Sequence, residues 1–230
     1  MPVKIAGKNI AADARRVFEA VRSGGIAIIH VDVGYAVLGH TAPAVRRIYA
    51  AKRRSFDKPT GLLGNHALHE ALHILGEREQ AMVRRITQDH DLPLAVIAPY
   101  RKDHPLLAAL DPFVHEHAVK NDTLNILLNA GELRNAIADL ALAHGVLCAG
   151  SSANVSKSGS KYRLEDVDPE IRAVADVEID YGLCAHHNPQ GLSSTMVDFT
   201  TFRVQRAGAC FERIAEVMQG EFGVELKRPA

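Results

Sequence analysis

Short apolar runs alternate along the chain with longer stretches whose apolar positions recur at helical spacing. Between residues 11 and 22 the apolar side chains follow that spacing, which predicts an amphipathic helix that Ser23 and two glycines end. The compact apolar run at residues 26–29 is typical of a buried strand. Because strands and helices continue to alternate, we predict an α/β fold in which a twisted, mixed β-sheet is flanked by helices.

The remaining segments extend this picture to the end of the chain. They predict further helices at residues 43–54, 66–75, 77–86, 106–110, 132–144 and 211–219. They predict further strands at residues 60–63, 93–99, 123–128, 146–149, 174–179, 195–199 and 202–205. The sequence shows no internal repeat, so we expect a single domain over residues 1–230.

Composition limits the function classes without selecting one. With 230 residues, 47% of them hydrophobic, the chain is long enough to bury a sizeable core. The formal net charge is zero, which argues against a global attraction to nucleic acid or membrane, so an anion site must be a local concentration of charge. The three cysteines are widely spaced, no apolar run reaches membrane-spanning length, and residues 1–4 lack a signal pattern. We therefore expect a cytoplasmic protein.

One local concentration of charge follows a predicted helix. Lys52, Arg53, Arg54 and Lys58 stand just before Pro59. Arginine and lysine are the usual pair for binding phosphate. Cations near a helix end also complement its dipole, so the stretch has two interpretations, a solvated basic helix end and a phosphate clamp.

A second stretch, residues 150–160, carries hydroxyl and amide side chains directly after the strand predicted at residues 146–149. We interpret that strand as parallel-type, since the loop after such a strand can bring N–H groups and side-chain donors together on an anion. The alternative is a flexible linker rich in serine and glycine. The ordered-looking segment at residues 162–171 leaves no domain boundary to link and favours the anion site.

Together these stretches resemble a known family. Lys52 and Arg54 ahead of Lys58, and Ser152 with Asn154, are similar to the K-x-R and S-x-N signatures of YrdC-like proteins, the threonylcarbamoyl-AMP synthases and their YrdC and YciO relatives. Further short matches follow in the family's order, at residues 24–36, 194–198 and 206–209. The resemblance runs over about residues 10–220 and implies one YrdC-like domain.

The resemblance implies a nucleotide site that takes ATP with Mg²⁺. The positions that match the family's ATP-binding residues all keep suitable donors: Arg54, Lys58, Ser152, Asn154, Ser160 and Arg206. The implied reaction is adenylation of a carbamate, in which positioning and charge stabilisation on the phosphoryl oxygens provide most of the catalysis. The expected catalytic residues are Lys52, Arg54, Ser152 and Asn154.

The acceptor pocket departs from the family's threonine pocket. Val33 stands where the family has a hydroxyl residue, Leu63 where it has a histidine, and His30 where it has a proline. Residues 128–130 lack the family's arginine, and residues 91–95 lack its P-G-P-x-T segment. A buried carboxylate without a cation or several N–H donors is strongly unfavourable, so we predict a rebuilt pocket for a small substrate other than threonine. The predicted substrate-binding residues are His30, Asp32, Val33, Tyr35, Leu63 and Ser194.

The sequence therefore predicts a nucleotide-binding enzyme of nucleotidyltransferase type, similar to the synthases of tRNA threonylcarbamoyladenosine modification. Three alternatives stay open: a double-stranded RNA-binding YrdC-like module without synthase activity, a carbamoyl-transfer enzyme for a different small substrate, and an ordinary threonine-using synthase. The expected partners are a nucleotide and a small molecule, while RNA binding and oligomerisation are left open.

We expect no protein-held metal site. His66, His69 and His73 could share one helix face, but no further ligand stands at a zinc-binding offset. We therefore predict a solvated polar face for these histidines.

Overall fold

The alternation of strands and helices is present in the computed structural model of the chain, which describes residues 8–229. The start of the sequence, residues 1–4, which argued against a signal peptide, lies outside the described residues. The helices are Ile10–Arg22 (α1), Ala42–Ala51 (α2), His66–Leu72 (α3), Glu77–Arg84 (α4), Pro105–Ala108 (α5), Pro112–Ala118 (α6), Glu132–His144 (α7), Pro169–Arg172 (α8) and Phe211–Phe222 (α9). Between residues 8 and 229, no helix combines the length and the apolar character needed to cross a membrane.

The strands of the described part of the chain join in one mixed sheet. They are Ala27–Ile29 (β1), Ala36–Gly39 (β2), Gly61–Leu62 (β3), Leu94–Pro99 (β4), Val119–Lys120 (β5), Thr123–Leu128 (β6), Ala149–Ser152 (β7), Val177–Glu178 (β8), Thr195–Asp198 (β9) and Arg203–Arg206 (β10). Their order is β10-β9-β4-β6-β3-β7-β2-β1-β8, with β5 paired to β6 beside that path. The pairs β1–β8, β3–β6 and β4–β9 are parallel and the others antiparallel. The predicted α/β fold, a mixed sheet flanked by helices, is confirmed.

Two long helices lie together and stabilise the sheet. α1 begins after Asn9, whose side-chain oxygen accepts a hydrogen bond from the Ala12 N–H at 3.2 Å. Its apolar stripe, which includes Val17 and Phe18, is buried, and α1 packs against α7. α7 spans the predicted residues 132–144 and ends at Gly145, whose φ of 68° is a conformation that glycine adopts without strain.

The structure differs from the prediction around the two charged and hydroxyl-rich stretches. α2 ends at Ala51, so Lys52 is its C-cap and the cations that follow lie on a loop. The strand predicted at residues 146–149 is instead β7 at Ala149–Ser152, and it pairs antiparallel with both β2 and β3. Our interpretation of a parallel-type strand with a loop starting at residue 150 is therefore wrong, since the ladder is formed by the small residues themselves.

The prediction also missed the short elements β2, β5, α6 and α8. β2 follows the predicted loop at once and has only four residues, so its apolar run was not separated from the strand before it. α6 has seven residues, and its start was readable: the Asp111 side chain accepts a hydrogen bond from the Phe113 N–H at 2.9 Å, and Pro112 occupies the first turn.

The histidines of α3 are not a solvated face, contrary to our expectation. His69 and His73 are buried, their Nδ1 atoms lie 2.8 Å apart, and His69 Nε2 lies 3.1 Å from Gln80 Oε1. The i, i+4 spacing placed both rings on one face, but that face is turned into the protein, where Gln80 of α4 contacts His69. Burial lowers the pKa of His69 to about 4 and that of His73 to about 3.

These two histidines predict acid sensitivity of the fold. Below a pH of about 6.5 the two imidazoles become protonated in the unfolded chain but stay neutral in the folded chain. The free energy of unfolding therefore decreases as the pH falls toward 4. We expect the free energy of unfolding to drop by about 2 kcal/mol per histidine between pH 7.5 and 5. Urea denaturation at several pH values measures this for the wild type, the double variant His69→Gln/His73→Met, and a control, His144→Gln, at an exposed position. The double variant should lose most of the pH dependence; an unchanged slope in that variant would contradict the assignment.

Candidate functional site

Side chains on one face of the sheet surround a cavity of about 170 Å³. Asn125 and Leu127 are two residues apart on β6, so both point to this face. On the next strands, Gly61 of β3 and Gly150 of β7 are paired in register and also line the cavity. A Cβ atom on Gly150 would lie 2.9 Å from Leu38 Cδ2, so a larger residue would disturb the neighbouring side chain. Small residues in the middle of the sheet thus leave the space that the cavity occupies.

Two guanidinium groups face this cavity together. Arg54 Nη2 donates a hydrogen bond to the Pro59 carbonyl at 2.7 Å. Arg206 Nε donates to the Ser194 carbonyl at 2.8 Å, and its Nη2 donates to Ser194 Oγ at 3.0 Å. Burial, reinforced by the charge of Arg54, lowers the pKa of Arg206, so the two guanidinium groups are close enough to repel each other. Carbonyl groups hold both arginines in place without neutralising them.

A third arginine lines the cavity from α7. Arg134 is 5% exposed, and its Nη1 donates to the Gly64 carbonyl. Burial lowers its pKa to about 9. Gly64 follows β3, whereas Pro59, the partner of Arg54, precedes it, so Arg134 and Arg54 approach the cavity from opposite ends of that strand.

The cavity has an excess of positive charge. No aspartate or glutamate is among its lining residues in the described part of the chain. The other polar groups there are neutral: the amide of Asn125 and the hydroxyls of Ser151, Ser152, Ser193 and Ser194. Asn125 Oδ1 is buried without a hydrogen-bond partner among residues 8–229. Unbalanced cations beside neutral donors in a partly buried site are the arrangement that binds an anion.

Lys52 joins the two stretches that the sequence singled out. Its ammonium group, 1% exposed, donates to the carbonyls of Ser152 and of Asn154, the latter at 2.7 Å. Its own carbonyl accepts a hydrogen bond from the Ser156 N–H at 2.9 Å. Burial, with a smaller effect of Arg54, lowers the pKa of Lys52 to about 7. The predicted catalytic residue Lys52 thus holds the loop after β7 and is not among the residues that line the cavity.

Ser152 and Asn154 lie differently with respect to the cavity. Ser152 lines it, opposite Ala36 of β2 in the sheet register. Asn154 is buried and is not among the lining residues, and its Nδ2 donates to the Val155 carbonyl at 2.6 Å. Its Oδ1 is buried and has no hydrogen-bond partner within residues 8–229. The structure therefore brings Arg54 and Ser152 to one cavity and leaves Asn154 next to it.

Lys58 and Ser160, also predicted to bind nucleotide, lie outside the residues that line the cavity. The Lys58 carbonyl accepts a hydrogen bond from the Tyr49 hydroxyl at 2.8 Å, which anchors the loop while the side chain stays half-buried. Ser160 packs against Gly34, where an added Cβ would lie 3.2 Å from Ser160 Cβ. Gly34 has a φ of 126° and lines the cavity, so Ser160 is one residue removed from it.

Four of the six predicted substrate-binding residues line the cavity: Val33, Tyr35, Leu63 and Ser194. Val33 and Leu63 are both 2% exposed and form apolar wall. The Tyr35 hydroxyl is turned away, 2.6 Å from Asp180 Oδ1 and 2.9 Å from the Gly182 carbonyl. Tyr35 therefore contributes its backbone and ring to the wall, not a free hydroxyl.

His30 and Asp32 lie outside the cavity wall. The His30 ring is buried edge-on against the Tyr35 ring, with centroids 5.5 Å apart, and burial lowers its pKa. The Asp32 carboxylate lies at the start of α7, since a Cβ on Gly131 would be 3.1 Å from Asp32 Oδ1. A carboxylate there complements the positive end of the helix dipole. His30 and Asp32 therefore contact elements next to the cavity and do not line it.

Sequence reasoning missed Arg134, although the sequence carried a signal. In α7 the buried positions include Arg134, Ile137, Ala138 and Ala141, so the arginine falls on the apolar stripe. It also lies in the first turn, where a cation opposes the helix dipole. A cation that lies on the apolar stripe and at the positive end of the helix dipole indicates a functional position and not a stabilising one.

The donor set also indicates which bound groups fit. The pair Arg54 and Arg206, together with several hydroxyls, suits the phosphates of ATP. Mg²⁺ prefers carboxylates, water and substrate phosphates, and no cluster of potential metal ligands is found among residues 8–229. The residues present therefore fit Mg²⁺ only as an ion that arrives with the phosphates.

Comparison with known proteins agrees with this fold and sequence pattern. A family model for Sua5, YciO and YrdC proteins, described as telomere recombination, matches residues 19–208. No curated protein gives a significant match.

Solved structures show the same architecture. A hypothetical protein, smu.1377c from Streptococcus mutans UA159, superposes with a TM-score of 0.82 at 20% identity, over 99% of this chain and 98% of that one. P. abyssi Sua5 complexed with L-threonine gives a TM-score of 0.73 at 19% identity, over 99% of this chain and 62% of the Sua5 chain. Full-length HypF in a phosphate- and nucleotide-bound form gives 0.64 at 16% identity, over 91% of this chain and 25% of that chain. This chain thus spans less than two thirds of the Sua5 chain and a quarter of the HypF chain.

The Lys52 contacts predict a stability cost that is separate from ligand binding. Lys52→Met keeps most of the side-chain volume but leaves the carbonyls of Ser152 and Asn154 without their donor. We expect a loss of about 2–4 kcal/mol in the free energy of unfolding, measured by urea denaturation without ligand. The matched control is Lys120→Met at an exposed position, with an expected change within about 0.5 kcal/mol. Equal stability of Lys52→Met and the wild type would refute the structural role.

Proposed function

We propose that this chain, which belongs to the Sua5/YciO/YrdC family, binds ATP with its phosphates in the cavity and uses it to adenylate a carbamate formed on a small amine other than threonine. The observation that carries the proposal is the convergence of Arg54 and Arg206 on a cavity whose described lining contains no carboxylate. Two repelling guanidinium groups are stabilised when an anion lies between them.

The way both arginines are held supports a polyanionic ligand. Each guanidinium already donates to a backbone carbonyl, at Pro59 and at Ser194, so its orientation is set before the ligand arrives. Preorganised donors lose little side-chain entropy on binding and stabilise charge that develops on phosphoryl oxygens. Neither arginine forms an ion pair with another described residue, so both charges remain available.

The reaction follows from the family resemblance. Bicarbonate and an amine give a carbamate and water. A carbamate oxygen then forms a new bond to the α-phosphorus of ATP while the bond to the leaving pyrophosphate breaks. In this scheme Arg54 and Arg206 neutralise charge on the phosphates, Ser152 donates to a phosphate or carbamate oxygen, and Lys52 keeps the loop after β7 in place. By the same likeness, the product would serve tRNA modification.

The acceptor part of the proposal rests on the apolar wall. Val33 and Leu63 cannot donate a hydrogen bond to a substrate hydroxyl, and both line the cavity. Beside these two side chains a substrate hydroxyl would lose its contact with water without gaining a hydrogen bond from either of them. The structure of Sua5 with L-threonine shows that a protein of this fold takes a small amino acid; in this chain we propose a more apolar one.

Calorimetric titration with ATP, with and without Mg²⁺, tests the nucleotide site. Removing one charge-assisted contact weakens phosphate binding, so we expect Arg54→Gln and Arg206→Gln each to raise the Kd for ATP by about 10- to 100-fold. The matched control is Arg53→Gln, one residue away, because Arg53 is exposed and pairs with Glu170 on the surface. This control should bind ATP within about twofold of the wild type.

Titration with ATP and with double-stranded RNA distinguishes the proposed function from the RNA-binding alternative. Binding of double-stranded RNA that weakens steeply with salt, together with no ATP binding, would replace the proposal with the RNA-binding alternative. An equal loss of ATP affinity in Arg53→Gln and Arg54→Gln would show that the loop acts as a diffuse basic surface and not as a phosphate site.

A further inference from the structure

Arg134 is a buried cation for which the protein supplies no counter-charge. It is 5% exposed and lines the cavity from the first turn of α7. Of its five N–H donors, only one on Nη1 has a hydrogen-bond partner among residues 8–229, the Gly64 carbonyl. No ion pair joins Arg134 to a described residue. The Asp32 carboxylate lies against Gly131 at the start of the helix.

The position of Arg134 makes its charge still less favourable without a ligand. It lies at the positive end of the α7 dipole and on the apolar stripe of that helix. Burying a guanidinium without a counter-charge is strongly unfavourable. An anion bound beside Arg134 would offset that cost. The remaining N–H donors form a planar fork, whose natural partner is a carboxylate or a phosphate.

The arrangement of the walls distinguishes between these two anions. Arg54 contacts the Pro59 carbonyl before β3 and Arg134 contacts the Gly64 carbonyl after it, so the two side chains approach the cavity from opposite ends of that strand. Arg206 lies close enough to Arg54 for their charges to repel. The apolar residues Leu63 and Leu127 line the same cavity as Arg134. A single fork with apolar neighbours fits one carboxylate on a small apolar body better than the several charges of a triphosphate.

We propose that Arg134 binds the carboxylate of the acceptor, which is an amino acid with an aliphatic side chain. This inference rests on the proposed function, because the carbamate chemistry requires that the acceptor also carry an amine. The aliphatic side chain contacts the wall formed by Val33, Leu63 and Leu127, while the phosphates of ATP bind at Arg54 and Arg206. The two ends of the cavity thus recognise different anions.

The test compares an amino acid with the same molecule lacking its carboxylate. L-valine and isobutylamine are titrated by calorimetry into the protein saturated with ATP and Mg²⁺, and L-leucine with isopentylamine forms a second pair. In the wild type each amino acid should bind at least tenfold more tightly than its amine. L-threonine is included and should bind more weakly than L-valine.

Variants assign the carboxylate to Arg134. Arg134→Gln should weaken L-valine binding at least about thirtyfold and remove the difference between L-valine and isobutylamine, with the Kd for ATP within about twofold. Arg134→Lys keeps the positive charge but loses the planar pair of N–H donors, so it should raise the Kd for L-valine about tenfold. The control, Arg203→Gln, removes an exposed arginine from β10 and should change neither ligand.

Several results would overturn the inference while leaving the nucleotide site intact. They are equal binding of L-valine and isobutylamine in the wild type, no binding of any panel member, or unchanged L-valine affinity in Arg134→Gln. If Arg134→Gln fails to fold, unchanged L-valine affinity in Arg134→Lys decides against it. If the wild type does not bind ATP, the proposed function itself is rejected.

Discussion

The site depends on positive charge that the protein buries wholly or in part and does not neutralise. Arg54, Arg134 and Arg206 all line one cavity, and no carboxylate lines it in the described part of the chain. A fold can keep unpaired cations in such a place only if packing elsewhere offsets their desolvation. The mixed sheet does so with a continuous apolar core on which α1 and α7 pack. The stability lost at the cavity is then recovered when an anion binds.

The two signature stretches divide their tasks by chemistry. Lys52 is a compact point charge, and its ammonium group holds two carbonyls of the loop after β7. Arg54, two residues later, extends past the helix end and presents a planar fork to the cavity. The first residue therefore builds the site and the second faces the ligand. The catalytic role that the sequence predicted for Lys52 stays a prediction, since its contacts here are structural.

The sequence predicted most of the elements and a part of the site. α7 was predicted at its observed bounds because its period and its terminal glycine agree. β7 was displaced because its ladder uses small residues such as Gly150, which hydrophobicity does not mark, while the apolar run before it only leads into the strand. Val33, Leu63 and Arg206 line one cavity, and the binding roles expected for them stay predictions. The direction in which His30 or Lys52 points depends on packing that spacing cannot reveal. Arg134 was detectable only as a conflict between a cation and its place on the helix.

A crystal structure with a non-hydrolysable ATP analogue and Mg²⁺ would show whether Arg54 and Arg206 bind phosphate. We expect phosphate oxygens within about 3 Å of the guanidinium nitrogens of both arginines, with the space beside Arg134 left for a second ligand. An analogue bound at another surface, or a cavity that stays free of phosphate at saturating analogue, would contradict it.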